Sequence, residues 1–399
     1  MQKKIISMAI AGLVSSFAFA QSNVTIYGVM DAGFSSYSYD KGYNSTTGLK
    51  DGRDARSTGV YSDGMTSSRL GFKGEENLGN GLKAIFQLET GVQLDSKDGD
   101  GAWGGLKIRQ SNIGLTGSFG TVKVGTQSTM SDAWHGGSGA ENMGNLSSRN
   151  IVGLRGSFAN TKEPGVVYLS PNLSGLTLGV GAFFIDEGGA KETITGGKWA
   201  GKTTDTRSTM YNLGAQYLNG PFSAAVTYAG MSRDVGKTSK EWTLSAAYDF
   251  KVVKVFGAYE ATKDVYANQI ASDGSLGYMS ATALAAVTPT TKTFDNATWS
   301  LGVSIPVMAK GQIHLGYSET DNDLKKSDAK GFLVGYQHDL SKRTTVYAAY
   351  QYLDTEKFYN TANMKGRYRN AYGNNGNLTT GNITGRDADG FSVGLRHSF

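Results

Sequence analysis

The sequence predicts an all-β fold, namely a transmembrane antiparallel β-barrel of sixteen strands. From Asn23 to Phe399, segments of about ten residues alternate apolar and polar side chains, and a turn separates each segment from the next. Such alternation indicates β-strands, because successive side chains of a strand point to opposite faces. The repeats occupy nearly the whole chain and end on an aromatic residue. Both observations favour a closed barrel with lipid outside and water inside.

The alternating segments define the predicted strands and their connections. Seven short connections alternate with eight long ones, of which the third, at 128–163, is among the longest. This alternation of short and long connections predicts an up-and-down barrel with short periplasmic turns and long outer loops, in which the first and last strands pair. Residues 21–399 therefore form one predicted domain. The strands lie near residues 23–37, 67–76, 82–94, 108–117, 121–127, 164–170, 176–185, 209–218, 222–231, 241–249, 252–261, 297–305, 311–319, 330–338, 344–353 and 389–399.

The first twenty residues have the organisation of a cleaved signal peptide. Lys3 and Lys4 precede a short apolar stretch, and the A-x-A site Ala18-Phe19-Ala20 predicts cleavage before Gln21. The stretch is too short for a spanning helix. Export together with a barrel predicts the outer membrane of a Gram-negative bacterium. Removing the two lysines lowers the formal charge from +5 to +3, which is too small to indicate nucleic-acid binding.

The composition fits a barrel with a polar interior. Only 39% of the chain is hydrophobic, whereas it contains 55 Gly, 21 Tyr and 17 Phe. In a barrel half of each strand need not be apolar, and aromatic rings suit the two membrane interfaces. Cysteine is absent, which fits an oxidising envelope and excludes a disulfide-stapled fold.

Strand parity assigns each charged residue to a face. Leu70 and Phe72 point outward, so Arg69 points into the lumen, and the same reasoning places Lys123 and Arg396 in the lumen. A charge on the lipid face would cost about 2–4 kcal/mol at the midplane. Most inward charges therefore only line a solvated wall, and parity alone makes none of them a binding site.

Several sequence motifs resemble the general porins of betaproteobacteria, the family of the Neisseria, Bordetella, Burkholderia and Comamonas outer-membrane porins. The resemblance covers nearly all of the chain after the signal peptide, except the loops. The matching pieces are V-T-I-Y-G at 24–28 with Asp31, S-R-L-G-F-K-G-E-E-N-L-G-N-G-L-K-A-I-F-Q-L-E at 68–89, I-G-L-T-G-S-F-G at 113–120, V-Y-L-S-P at 167–171, L-S-K-R-T at 340–344 and G-L-R-H-S-F at 394–399.

The resemblance implies a homotrimer whose third long loop folds into the lumen, with basic residues on the opposite wall. Arg69 matches the arginine of the family's S-R-L-G motif, and Arg109 matches the arginine before the strand that ends in G-x-F-G. Arg109 shares parity with the outward-facing Ile113, so it needs a β-bulge or a place above the membrane band. Either Arg155 or Lys162 could supply the third basic residue.

The third loop offers two acids that could face these bases, Asp132 and Glu141. Opposed charges across a water-filled constriction create a transverse field that filters solutes by charge and dipole. The alternative is that each acid is an ordinary solvated loop residue.

No catalytic or cofactor site is readable from residue spacing. The four histidines form no Ser/His/Asp grouping, and the acidic stretch 95–101 lacks the glutamate of a calcium loop, since Leu106 stands at the twelfth position. We therefore expect no enzyme activity, cofactor or metal.

The predicted function is a water-filled channel for passive diffusion of small hydrophilic solutes and ions, with a mild preference for anions. The alternatives are a substrate-specific channel and a surface adhesin or structural barrel. The expected partners are further copies of the chain, outer-membrane lipid and lipopolysaccharide, and the permeating solutes and ions, but no nucleic acid. The resemblance also implies that barrel-assembly machinery reads the terminal Phe399.

Overall fold

The structure is a computed structural model. It describes residues 23–44, 50–51, 54–95, 107–137, 143–152, 159, 161–193, 203–233, 237–266, 293–323, 326–357 and 383–399. The predicted signal peptide lies outside the described residues.

The described residues form twenty strands, two α-helices and one short 3-10 helix. The helices are α1 (Met130–Gly137) and α2 (Ser148–Ile151), with the 3-10 helix Gly144–Leu146 between them. The strands are β1 (Asn23–Tyr39), β2 (Gly42–Asn44), β3 (Lys50–Asp51), β4 (Ala55–Ser62), β5 (Arg69–Gly79), β6 (Leu82–Gly91), β7 (Lys107–Gly117), β8 (Gly120–Ser128), β9 (Lys162–Leu169), β10 (Leu176–Thr193), β11 (Thr203–Asn219), β12 (Phe222–Arg233), β13 (Ser239–Asp249), β14 (Lys254–Tyr266), β15 (Thr293–Val307), β16 (Gly311–Asn322), β17 (Ala329–Asp339), β18 (Thr344–Thr355), β19 (Ile383–Thr384) and β20 (Ala388–Ser398).

One closed antiparallel sheet forms the barrel. Each strand from β5 to β18 pairs with the next, β18 pairs with β20, and β20 pairs with β1. The first part of β1 then pairs with β5 and its second part with β4. Because β4 and β5 together occupy one position, the barrel has sixteen strands, as predicted. The short strands β2, β3 and β19, which lie within the predicted first and last long loops, form a separate small sheet.

The predicted strands are confirmed, but β4 lies inside the predicted first long loop. Its sequence, A-R-S-T-G-V-Y-S, is polar or small at most positions on both faces, so alternation could not reveal it. The ladder with β1, from Ala32↔Ser62 to Tyr39↔Ala55, supplies the hydrogen bonds that make it a strand. Sheet pairing also extends many other strands into the predicted long loops, as in β10 and β11.

The two faces of the barrel differ as the alternation predicts. Apolar side chains such as Ile113 and Leu301 are exposed on the outside, whereas polar side chains fill the inward positions. Aromatic rings line up on the outside, for example Tyr228 and Trp242 with ring centroids 4.6 Å apart. Such rings are typical of residues at a membrane interface. No α-helix in the described part of the chain is long and apolar enough to span a membrane.

The first part of the third loop lies against the inner wall. Trp134 of α1 is buried against two wall glycines, so closely that a Cβ atom on Gly179 would lie 2.8 Å from the indole ring. The amide N–H of Met130 donates to Asn212 Oδ1 at 2.7 Å, and the hydroxyls of Ser131 and Thr227 lie 2.9 Å apart. These contacts fix α1 over β10, β11 and β12 inside the barrel.

The second part of the third loop lies against a different section of the inner wall. Ile151 and Val152 are buried at the end of α2, and Ser148 Oγ lies 2.8 Å from Ser318 Oγ on β16. Fully burying an isoleucine side chain contributes about 1.5–3 kcal/mol. The described parts of the third loop therefore fold inward, as predicted, and are held at both ends.

Candidate functional site: the basic wall of the lumen

Two arginines share one carboxylate on the inner wall formed by β5, β6 and β7. Arg109 Nε lies 2.7 Å from Glu89 Oε1, and Arg69 Nε lies 3.6 Å from Glu89 Oε2. Glu89 is 8% exposed, whereas the two arginines are 27% and 23% exposed and so remain accessible from the lumen. Two positive charges and one negative charge leave this group with a net charge of +1.

A β-bulge explains how Arg109 reaches the lumen. The register between β6 and β7 shifts after Glu89↔Gln110, because the next pair is Thr90↔Ile108 and leaves Arg109 as the extra residue. A bulge places two residues opposite one and re-aims a side chain. Ile108 and Ile113 therefore stay exposed on the outside while Arg109 turns inward to Glu89.

Neighbouring side chains extend the basic wall along β1, β5 and β6. Tyr27 donates its hydroxyl to Glu89 Oε2 at 3.0 Å and accepts from Gln87 Nε2 at 2.7 Å. Lys73 Nζ lies 5.3 Å from the centroid of the Tyr27 ring, within range of a cation–π contact. Glu89 therefore binds two arginines and the hydroxyl of Tyr27, and a further cation, Lys73, lies over the ring of that tyrosine.

Lys162 and Asp132 form an ion pair that joins the end of the third loop to its beginning. Lys162 Nζ lies 2.6 Å from Asp132 Oδ2, and the two side chains are 21% and 19% exposed. Lys162 is the first residue of β9, and Asp132 lies in the first turn of α1. The candidate acid Asp132 is therefore neutralised by one of the candidate bases.

The other charged residues predicted to line the pore lie on strands other than those of the Glu89 group, or outside the described residues. Lys123 and Arg396 lie on inward positions of β8 and β20, and neither makes a side-chain hydrogen bond or ion pair within the described residues. Arg396 is close enough to Arg69 for the two charges to repel each other. Arg155 and Glu141 lie outside the described residues.

A buried ion pair anchors the third loop, and sequence reasoning missed it. Arg149 Nη2 of α2 lies 3.3 Å from Glu260 Oε2 of β14, and both side chains are 2% exposed. The two residues are 111 positions apart, so no local pattern links them. Such a pair adds little net stability, but removing one partner leaves a buried charge. It therefore fixes where α2 sits on the wall.

His135 of α1 is held neutral inside the lumen. Burial, and then the positive charge of Arg149, lower the pKa of His135 well below its usual range. In the described part of the chain, no group of three or more histidine and acidic side chains is arranged to hold a metal ion.

Comparison with known proteins places this geometry in a family. A family model described as Gram-negative porin matches residues 7–357. The outer membrane porin protein 32 of Delftia acidovorans is 29% identical over the full length of both chains. An outer membrane porin protein of Bordetella pertussis is 29% identical over 91% of this chain and 97% of its own. The solved anion-selective porin from Comamonas acidovorans is 25% identical, with a TM-score of 0.64 over 95% of this chain and all of the other.

The chain belongs to the Gram-negative porin family. It is an outer-membrane porin, a barrel through which small hydrophilic solutes and ions diffuse passively. The resemblance inferred from the sequence motifs is confirmed.

Proposed function

We propose that this porin prefers anions and that its basic wall sets the preference. The observation that carries this proposal is the excess of cations on this wall, where Arg69 and Arg109 share the single carboxylate of Glu89 and Lys73 lies over the ring of Tyr27. Lys123 and Arg396 add two further positive charges at inward positions of β8 and β20. The similarity to a porin named as anion-selective supports the same reading.

Charge reversal at Arg69 tests the proposal. Arg69→Glu should move the reversal potential in a salt gradient toward cation preference, because it changes the charge beside the permeating ion by two units. The effect should shrink at 1 M salt, where the screening length is about 3 Å. An unchanged reversal potential at low salt would show that Arg69 does not control ion entry. Lys50 of β3 is the control, and Lys50→Glu should change the reversal potential little.

We also propose that the third loop supplies the opposing charge. Glu141 and the base Arg155 remain candidates from the sequence, whereas Asp132 already pairs with Lys162. The substitution Glu141→Gln, which removes a negative charge, should therefore shift ion selectivity toward anions. Asp132→Asn should shift selectivity in the same direction, because it leaves Lys162 without its counter-charge. The mechanism is passive and requires no catalytic residue, cofactor or metal.

We infer that the porin is a homotrimer whose interface lies on the first half of the barrel. Outward-facing Tyr and Trp residues such as Tyr228, Trp242 and Trp299 occur on β9 to β18. In the described parts of β1 and β4–β8, outward positions instead carry residues such as Val24, Ile113, serine and glycine. Interfacial aromatic residues mark lipid-facing surface, so the half without Tyr and Trp suits subunit contact.

The assembly is tested by electrophoresis in SDS with and without boiling. A trimer of closed barrels should migrate as a large species until it is boiled, since each barrel satisfies its backbone hydrogen bonds internally. Equal mobility of the two samples would contradict the trimer.

The identity of the first residue of the purified protein tests the signal peptide, because cleavage should leave Gln21 as the first residue of the mature chain. Lipid and lipopolysaccharide should cover the aromatic half.

A further inference from the structure

The barrel position shared by β4 and β5 is interrupted by residues 63–68, which we name the inner turn. Met65 of the inner turn is buried in one cluster with Met143 of the third loop and with Leu333 and Tyr347 of the wall. Leu333 and Tyr347 occupy inward positions of β17 and β18. The inner turn therefore folds into the lumen as a second inward element beside the third loop.

The carboxylate of Asp31 holds the inner turn in place. Its Oδ2 atom accepts from the amides of Met65 and Thr66, each at 2.8 Å, and its Oδ1 atom accepts from the amide of Gly64 at 3.1 Å. The hydroxyl of Tyr347 also donates to Oδ1, at 2.6 Å. Asp31 is fully buried. Hydrogen bonds to a carboxylate are shorter and stronger than neutral ones, so this contact set fixes the turn's backbone.

The backbone of Asp31 forms hydrogen bonds with both ends of the inner turn. Its carbonyl accepts from the amide of Asp63 at 2.8 Å and from Ser68 Oγ at 3.1 Å. Its amide donates to Ser68 Oγ at 3.0 Å. One residue of β1 therefore determines where the inner turn leaves the wall and where it rejoins it.

The inner turn contacts both the basic wall and the third loop. On the basic wall, Arg69 Nη1 donates to the carbonyl of Ser67 at 3.1 Å. On the third loop, Asn145 donates its amide to the carbonyl of Met65 at 2.9 Å and its side chain to the carbonyl of Asp63 at 3.0 Å. A displacement of the turn would move both the arginine and the loop.

We propose that Asp31 is a positioning residue of the pore: through the inner turn it sets the places of Arg69 and of the third loop. The proposal rests on the proposed role of Arg69 in ion selectivity. Asp31 is not needed to close the barrel, because β1 pairs with β20 from Val29↔Ser398 to Tyr39↔Ala388 and with β5 over Asn23–Val29.

The first test is thiol labelling of Met65→Cys, a reporter made possible because the chain contains no cysteine. In folded protein the reporter should react slowly, since Met65 is only 9% exposed. Adding Asp31→Ala should raise the labelling rate by about tenfold or more, because local opening controls access to a buried thiol. Asp249→Ala is the matched control, since Asp249 accepts one amide from Lys251 in an exposed turn, and it should leave the rate unchanged.

The second test separates positioning from the lost charge of Asp31. Gly64→Ala keeps every charge, but its Cβ would lie 2.5 Å from Asp31 Oδ1 and would collide with the Tyr347 hydroxyl. This variant should therefore also label faster at residue 65 and shift the reversal potential, while migrating as folded protein in unboiled SDS gels. It also carries the test if Asp31→Ala does not fold.

Two results would overturn the proposal. One is wild-type labelling at residue 65 in folded Asp31→Ala or Gly64→Ala protein. The other is faster labelling with an unchanged reversal potential in Gly64→Ala, while Arg69→Glu does shift that potential; Asp31 would then have only a structural role. An Arg69→Glu variant without any shift would instead refute the proposed function, and labelling would still report whether Asp31 holds the turn.

Discussion

Neutralising Glu89 should make the channel more selective for anions. Glu89→Gln keeps the size of the side chain, but it removes the one negative charge that Arg69 and Arg109 share. The net charge of the group then rises from +1 to +2. Glutamine can still accept a hydrogen bond through its carbonyl oxygen, so one arginine can keep a partner.

The size of the effect follows from Coulomb's law. For an ion passing at about 7 Å, one elementary charge changes its energy by about 0.6 kcal/mol in water. Screening at 0.1 M salt, with a Debye length of about 10 Å, reduces this energy to about 0.3 kcal/mol. Anions gain this energy and cations lose it, so the permeability ratio of anions to cations should rise about threefold. At 1 M salt the change should be about 1.2-fold.

Reversal potentials in planar bilayers, measured across a potassium chloride gradient, provide the assay. The Glu89→Gln channel should shift toward the anion limit at low salt and resemble wild type at 1 M. Glu75→Gln is the matched control, because Glu75 pairs with Lys83 near the short-turn end of the wall and both side chains are well exposed. A shift of Glu89→Gln toward cations, or no shift at low salt, would refute the electrostatic reasoning.

Two further predictions concern the third loop and the chain terminus. Since the pKa of His135 is lower in the folded protein than its usual value of about 6.5, the docking of α1 should lose up to about 1.4 kcal/mol per pH unit as the pH falls from 6.5 toward the native pKa. Hydrogen exchange of α1 should report this loss, and His135→Gln should abolish its pH dependence; equal dependence in both proteins would contradict the reasoning. Deleting Phe399, whose backbone bonds to Gly28 and whose ring lies against it, should reduce folded protein in the outer membrane, whereas Phe399→Tyr should retain it. Wild-type trimer levels from the truncated chain would contradict a role of the terminus in assembly.

The sequence by itself determined the barrel and the face of most residues. Alternation with period two is a local property, so segments such as β15 and β17 reveal their outward and inward sides without any knowledge of their neighbours. The short turns were equally readable: Gly79, Asn80 and Gly81 all adopt positive φ between β5 and β6, as glycine and asparagine can. The inward parity of Arg69 was also available from the sequence.

Only the tertiary structure decided which of the inward groups meet. The bulge that turns Arg109 toward Glu89 depends on the register between two strands, and parity alone placed Arg109 outside. Asp31 and Tyr347 are 316 residues apart and become neighbours because the last strands close the barrel onto the first. The alternation shows which face of the sheet a residue occupies, but not its position along the barrel axis or its partner across the lumen. Those depend on the register of every strand pair and on how the barrel closes.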